Sequence, residues 1–156
     1  MLLDGMNHVA IITGDAERLH AFYAEVFDAT IRPQRGERPG VKMSNINLGP
    51  HTEFNVFEIE DNTEAEKQTP MFERGRIDHF GLQAASLEAF ETIRERLMAR
   101  GAADDFVTDF GQVLSLFFRD PDGLEGEVLI ANPDARPGVH NPPGTRAARY
   151  PVAPEG

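Results

Sequence analysis

Hydrophobic positions along the chain recur with two periods. Over Ala16 to Phe27, Leu19, Phe22, Tyr23, Val26 and Phe27 fall at i, i+3, i+4, i+7 and i+8, which gathers them on one helical face. Asp15, just ahead, supplies an N-cap. Ser86 is a second N-cap, followed by Leu87, Phe90, Ile93, Leu97 and Met98 as the apolar stripe of a helix ending at Arg100-Gly101. Elsewhere the period drops to two. The hexapeptides Met6 to Ile11 and Ile77 to Leu82 share one order of residue types: apolar, Asn or Asp, His, apolar, small, aliphatic. Both read as short strands preceding the helices. Strand-like runs then follow each helix: Thr30 to Arg35, Val41 to Leu48 and Thr52 to Glu60 in the first half, Asp105 to Asp109, Gln112 to Arg119 and Leu124 to Ile130 in the second.

This is an internal repeat, and it predicts an α+β fold of two tandem βαβββ modules. Residues 1–131 are expected to form one domain, with module one over 5–60, a polar linker with room for a short helix over 61–75, and module two over 76–131. Gly49-Pro50 and Asp120-Pro121-Asp122-Gly123 are the turns between the last strands of each half. The remainder, 132–156, holds six of the eleven prolines and no apolar period. It reads as an extended tail, packed loosely or disordered, or else as an arm over a partner subunit or a pocket mouth.

Composition narrows the chemistry. The 156 residues carry 15 Lys and Arg against 26 Asp and Glu, a formal charge of −11, which opposes nucleic acid and anionic lipid as partners. Without cysteine there is no disulfide, thiolate metal site or cysteine nucleophile. Charges interrupt every apolar run well short of the ~20 residues needed to cross a bilayer, and the N-terminus has no basic leader. A soluble, cytoplasmic protein is expected.

Strand alternation then singles out three side chains. His8 shares a face with Ala10 and Ile12, and His79 with Gly81 and Gln83, so each imidazole stands beside a small residue on the face opposite the apolar one. In the last strand Glu125, Glu127 and Leu129 share a face. A carboxylate on a strand otherwise built for a core is costly to bury alone, and a divalent cation resolves that cost. Two imidazoles and one carboxylate suit Fe(II), Mn(II), Co(II), Ni(II) or Zn(II), with positions left for water and substrate.

With MNHVAI, FYAEVFDA, IDHFGL and FFRDPDGLEGEVL in this order, the chain resembles the vicinal oxygen chelate superfamily, from about Gly5 to Asn132. That superfamily includes glyoxalase I, extradiol dioxygenases, methylmalonyl-CoA epimerase, fosfomycin-modifying enzymes and metal-free bleomycin-binding proteins. The resemblance implies mixed sheets curled into a cup with helices outside, and it places His8, His79 and Glu127 on metal-ligand positions. A fourth ligand, often Glu, falls within Phe54 to Glu58, where the preferred register gives Asn55, and Glu53 or Glu58 if the register differs. It further implies a homodimer in which His8 of one subunit can serve the other's site. The expected function is a metal-dependent enzyme on a small substrate that chelates through vicinal oxygens, either a ring-cleaving dioxygenase or a lyase/isomerase. The isomerase chemistry needs a base, and Glu53, Glu58 and His51 are the candidates, Glu58 and His51 being carried as catalytic. Fosfomycin chemistry fits the acidic chain less well. The alternative is a metal-free protein that sequesters a drug or metabolite, as bleomycin-binding members do. Of the other candidates, His20 is expected at the surface and His51 in a turn. Glu125 is expected beside the site or solvated, and Arg119 paired with an anion or Asp120. His140 and Tyr150 belong to the tail.

Overall fold

The structure is a computed structural model that describes all residues except 1, 3–5, 35–38, 66, 68, 70, 71, 74, 76, 147 and 150–156, so Tyr150 lies outside the described residues. Ten elements follow the predicted order. The first half comprises β1 (His8–Thr13), α1 (Ala16–Phe27), β2 (Thr30–Gln34), β3 (Val41–Gly49) and β4 (Thr52–Ile59). The second comprises β5 (Phe80–Gln83), α2 (Leu87–Ala99), β6 (Thr108–Asp109), β7 (Val113–Arg119) and β8 (Glu125–Ala131). Each half makes an open four-stranded mixed sheet, in the orders β1-β4-β3-β2 and β5-β8-β7-β6. In both, the first strand runs parallel to the last and the other pairs are antiparallel.

The chain divides into two compact units, Met1–Gln68 with Pro121–Gly123, and Thr69–Asp120 with Leu124–Gly156. The first buries Leu19, Phe22, Tyr23 and Val26 of α1, with Ile46 of β3 and Phe54 and Val56 of β4. Tyr23 meets the Phe54 ring edge to face at 5.4 Å. In the second, Phe90 and Leu97 of α2 are buried, as are Leu116, Phe118, Val128 and Ile130 of β7 and β8. Each such side chain contributes roughly 1.5–3 kcal/mol by leaving water. Gly126 permits the close packing, since a Cβ there would stand 2.7 Å from the Phe118 ring and 2.8 Å from that of Phe80. Leu87 and Met98, on the predicted stripe, remain exposed at the helix ends.

Both caps form as the sequence predicts. Asp15 accepts from the Arg18 backbone N–H and Ser86 from that of Ala89. The strand expected over Asp105 to Asp109 shrinks to two residues, because the Asp104 side chain accepts from the Phe106 N–H and Arg94 binds the Asp105 carbonyl, diverting the chain from the sheet. In the linker, Asn62 accepts from the N–H groups of Glu64 and Ala65, and the residues described there include turns and bends.

The described part of the tail folds back onto the second unit rather than trailing loosely. The Arg136 N–H donates to the Gly111 carbonyl, the His140 N–H to the Asp109 carbonyl, and the Asn141 side chain accepts from the Asp109 N–H. Arg149 pairs with Asp104 at 2.8 Å and lies over the Phe106 ring. The backbone groups of the edge strand β6 thereby find partners that no further strand supplies. Among the described residues, no helix is long and apolar enough to cross a membrane.

Candidate metal centre

His79 stands one residue before β5 rather than inside it, and Glu127 points from β8 on the same side of the second sheet. Gly81 is the cross-strand partner of Glu127. His79 Nε2 lies 3.5 Å from Glu127 Oε1, with side chains 27% and 15% exposed. The far atom of each group is held. His79 Nδ1 is 2.7 Å from Asp78 Oδ2, and since a carboxylate only accepts, the Nδ1 carries the proton. Ser115 Oγ donates to Glu127 Oε2 at 2.6 Å. In its neutral form the imidazole turns its Nε2 lone pair toward Oε1, and the Phe117 ring, edge to face at 6.2 Å, packs against it.

Two acceptors facing each other across 3.5 Å repel unless a cation or a second imidazole proton lies between them. For a proton that distance is long. Two ligands bonded at ~2.1 Å to one cation stand roughly 3.0–3.4 Å apart, which is close to the observed spacing. The carboxylate behind the histidine is likewise the outer support that metal-bound imidazoles have. The donor set thus fits a divalent cation. Among the described residues, no three His, Asp or Glu side chains form one metal-holding cluster. His79 and Glu127 are the pair brought together.

The first sheet repeats this layout with different chemistry. His8 opens β1, exposed, its Nδ1 2.8 Å from Asn7 Oδ1. It lies opposite Glu53, and Ala10 lies opposite Asn55, just as Gly81 lies opposite Glu127. Asn55 is therefore the counterpart of Glu127, the preferred register from the sequence. Glu53 accepts from Arg32 at 2.6 Å and from Asn45 Nδ2 at 3.0 Å, and the same Nδ2 lies 2.5 Å from Asn55 Oδ1.

Glu58 occupies the opposite, helix-facing side of β4. It accepts from the Ala16 N–H at 2.9 Å and from Lys42 at 2.5 Å, and these bonds, Lys42 foremost, hold its carboxyl below the usual range. A cavity of about 490 Å³ adjoins it, lined by residues including Gly14, Gly40, Lys42, Glu60 and Asp61, but not by His8, His79 or Glu127. His51 is exposed in the turn between β3 and β4. Glu125 is buried rather than solvated, bound by Arg119 through Nε at 3.2 Å and Nη2 at 2.9 Å. His20 is not a plain surface residue. Its Nε2 lies 2.7 Å from Ser44 Oγ, and burial lowers its pKa. His140 Nε2 is 2.9 Å from the Pro137 carbonyl within the folded tail.

Asp78 and Ser115 are the site residues that the sequence pattern left unmarked. Asp78 had a signal, the acidic or amide residue preceding each repeat histidine. Ser115 had none, because its reach to Glu127 depends on the pairing of β7 with β8.

Residues 5–128 match the family model described as glyoxalase/bleomycin resistance protein/dioxygenase superfamily. The chain belongs to that superfamily. Solved structures share its fold. A glyoxylase/bleomycin resistance protein/dioxygenase domain from Frankia sp. EAN1pec matches at 22% identity and TM-score 0.68, covering 84% of this chain and 94% of that one. A glyoxalase family protein from Enterococcus faecalis matches at 22% and 0.64, covering 83% and 99%. FosX, a fosfomycin resistance protein from Listeria monocytogenes, matches at 19% and 0.58, covering 86% and 97%. A comparison with curated proteins returned no match. Metal-dependent and metal-free members both occur in this superfamily.

Proposed function

We propose that this superfamily member is a divalent-metal-dependent enzyme acting on a small substrate that chelates through two adjacent oxygens. The observation that supports it most is the His79 Nε2 to Glu127 Oε1 approach of 3.5 Å, with both groups braced from behind. His79 and Glu127 hold the cation, Fe(II) or Zn(II), Mn(II) or Ni(II), and His8, the repeat partner of His79, is the third ligand, from the same chain or from a second copy in a homodimer. A bound cation supplies Lewis acidity to the substrate's oxygens.

The chain's own residues prepare that binding. Asp78 keeps the proton on Nδ1, so Nε2 stays a lone-pair donor. Ser115 occupies Oε2 and leaves Oε1 to ligate. Gly81, opposite Glu127, sets no side chain against that carboxylate; a Cβ there would meet Leu129 Cδ1 at 2.8 Å and Oε1 only at ordinary contact distance, 3.5 Å. Of the three candidate bases, Glu53, though held by Arg32 and Asn45, shares the face of His8, whereas Glu58 lies on the opposite, helix-facing side of β4. His51 stands in the turn. Glu53 is accordingly the proton acceptor in the lyase/isomerase reading, with Glu58 and His51 set aside.

The test is calorimetric titration of metal-free protein with Zn(II), and with Fe(II) under anaerobic conditions, alongside His79→Ala, Glu127→Ala and His8→Ala. Near-stoichiometric binding by wild type and at least a hundredfold weaker binding by the first two variants is expected. Equal, negligible uptake by all of them sinks the proposal and leaves a metal-free binding protein. Oxygen uptake with catechols, isomerisation of a hemithioacetal, and consumption of fosfomycin, after the structural neighbour FosX, then separate the reaction types.

A further inference from the structure

The hydrogen-bond chain on the first sheet fixes which way Asn55 faces. Glu53 is a carboxylate and can only accept, so the side-chain group of Asn45 that it meets at 3.0 Å must be the NH2. That same NH2 lies 2.5 Å from Asn55, so Asn55 must present its oxygen there. Arg32, 2.6 Å from the other Glu53 oxygen, anchors the far end, and Asn45, 1% exposed, has no freedom to turn. Arg32 and Asn45 both donate to Glu53, and Asn45 donates also to Asn55, so every donor and acceptor along Arg32, Glu53, Asn45 and Asn55 is fixed. Asn55 has its oxygen in use and its Nδ2 without a partner among the described residues, on the face of His8 and opposite the small residue Ala10.

We infer that Asn55 is a substrate-binding residue whose Nδ2 donates to an acceptor oxygen of the ligand, and that it is not a metal ligand. A metal ligand must offer a lone pair. Glu127, at the equivalent position of the second repeat, does so through an oxygen that accepts no hydrogen bond among the described residues, whereas the single side-chain oxygen of Asn55 is engaged by Asn45 and the group it leaves open is the NH2. The sequence repeat has thus diverged into one acidic position that attracts cations and one neutral position that attracts an oxygen, anionic or carbonyl. Asn45 is the positioning residue that keeps it so. This assignment rests on the preceding reading that the His-bearing faces of the sheets bind ligand.

The experiment titrates oxalate, which carries adjacent acceptor oxygens, into wild type, Asn55→Ala and Asn55→Asp, each both metal-free and Zn(II)-loaded, after a titration with Zn(II) alone. Removing one hydrogen bond to a charged oxygen is expected to weaken oxalate at least about tenfold in Asn55→Ala, with the Zn(II) affinity unchanged within about twofold. Asn55→Asp, nearly identical in shape and still an acceptor for Asn45, should weaken oxalate further by repulsion, and it controls for folding. The inference is overturned if Asn55→Ala loses Zn(II) as His79→Ala does, if oxalate binds both variants as it binds wild type, or if wild type binds no oxalate in either state. Wild type that binds oxalate through Asn55 but takes up no Zn(II) leaves the inference standing and removes the metal proposal instead.

Discussion

Asp78 and Ser115 set the character of the pair they support. Asp78→Asn returns the choice of tautomer to His79, and Ser115→Ala frees Glu127 to turn. Each is expected to weaken Zn(II) binding about ten- to hundredfold, measured by competition with a chromogenic chelator, with the fold retained by circular dichroism. A change below twofold in both removes the support role. His20 gives a pH signature of its own. Because burial lowers its folded pKa below the unfolded 6.5, the unfolded state takes up the proton first. Stability is therefore full above about pH 6.5 and declines as the pH falls from there toward the depressed folded value. Urea midpoints recorded from pH 7.5 to 5 should show this slope in wild type and a shallower one in His20→Gln. The faces of the two repeat histidines and of Glu127 were legible from the repeat and from strand alternation, since a period of two fixes the face, while the choice of Glu127 over Glu125 on that face came from the family resemblance. The bond from His20 to Ser44 was not, because it depends on α1 crossing over β3.

The start of α1 is stabilised from outside the helix. Glu58 of β4 meets its first N–H at Ala16, where the helix dipole favours negative charge, and Lys42 balances that charge. Glu58→Gln is expected to cost about 0.5–1 kcal/mol at neutral pH, the small figure reflecting a Lys42 side chain that is 79% exposed. With the folded carboxyl held below its usual 4.5, the charge-dependent part is present above that pH and lost as the pH falls through the folded value, so wild type and variant should converge in acid. The tail has its own dependence on one residue. Gly111 adopts φ +80°, and a Cβ there would lie 2.2 Å from the carbonyl oxygens of Arg136 and Gly138. Gly111→Ala should destabilise the protein by roughly 2 kcal/mol or more and expose residues 133–149 to protease, read by thermal melting and limited proteolysis. Intact resistance would mean that the tail is held by other contacts. Helix existence and caps followed from local spacing and hydroxyl or carboxylate placement. The docking of the tail did not, because its prolines carry no period and its partners are backbone groups of β6 and the turn after it.

At the scale of the molecule, a cation that binds only the folded state shifts the unfolding equilibrium as a whole. Zn(II) at a hundred times its dissociation constant should add about 2.7 kcal/mol, seen as a higher melting temperature that a chelator reverses. His79→Ala and Glu127→Ala should melt at the same temperature with and without Zn(II). An unshifted wild type at saturating Zn(II) contradicts a resident metal.

The amino-acid sequence by itself determined the repeat, the order of ten elements and the faces on which His8, His79 and Glu127 lie. These depend on periods of 2 and 3.6 residues and on caps a few positions away, all of which are local. Tertiary structure decided the rest. Strand register made Asn55 the counterpart of Glu127, the β7–β8 pairing brought Ser115 to that carboxylate, and packing of α1 on β4 set Glu58 against the first N–H of the helix. Contacts between residues far apart in the chain depend on which strands pair and how they slide, and a one-residue slip reverses every face, so no local pattern encodes them.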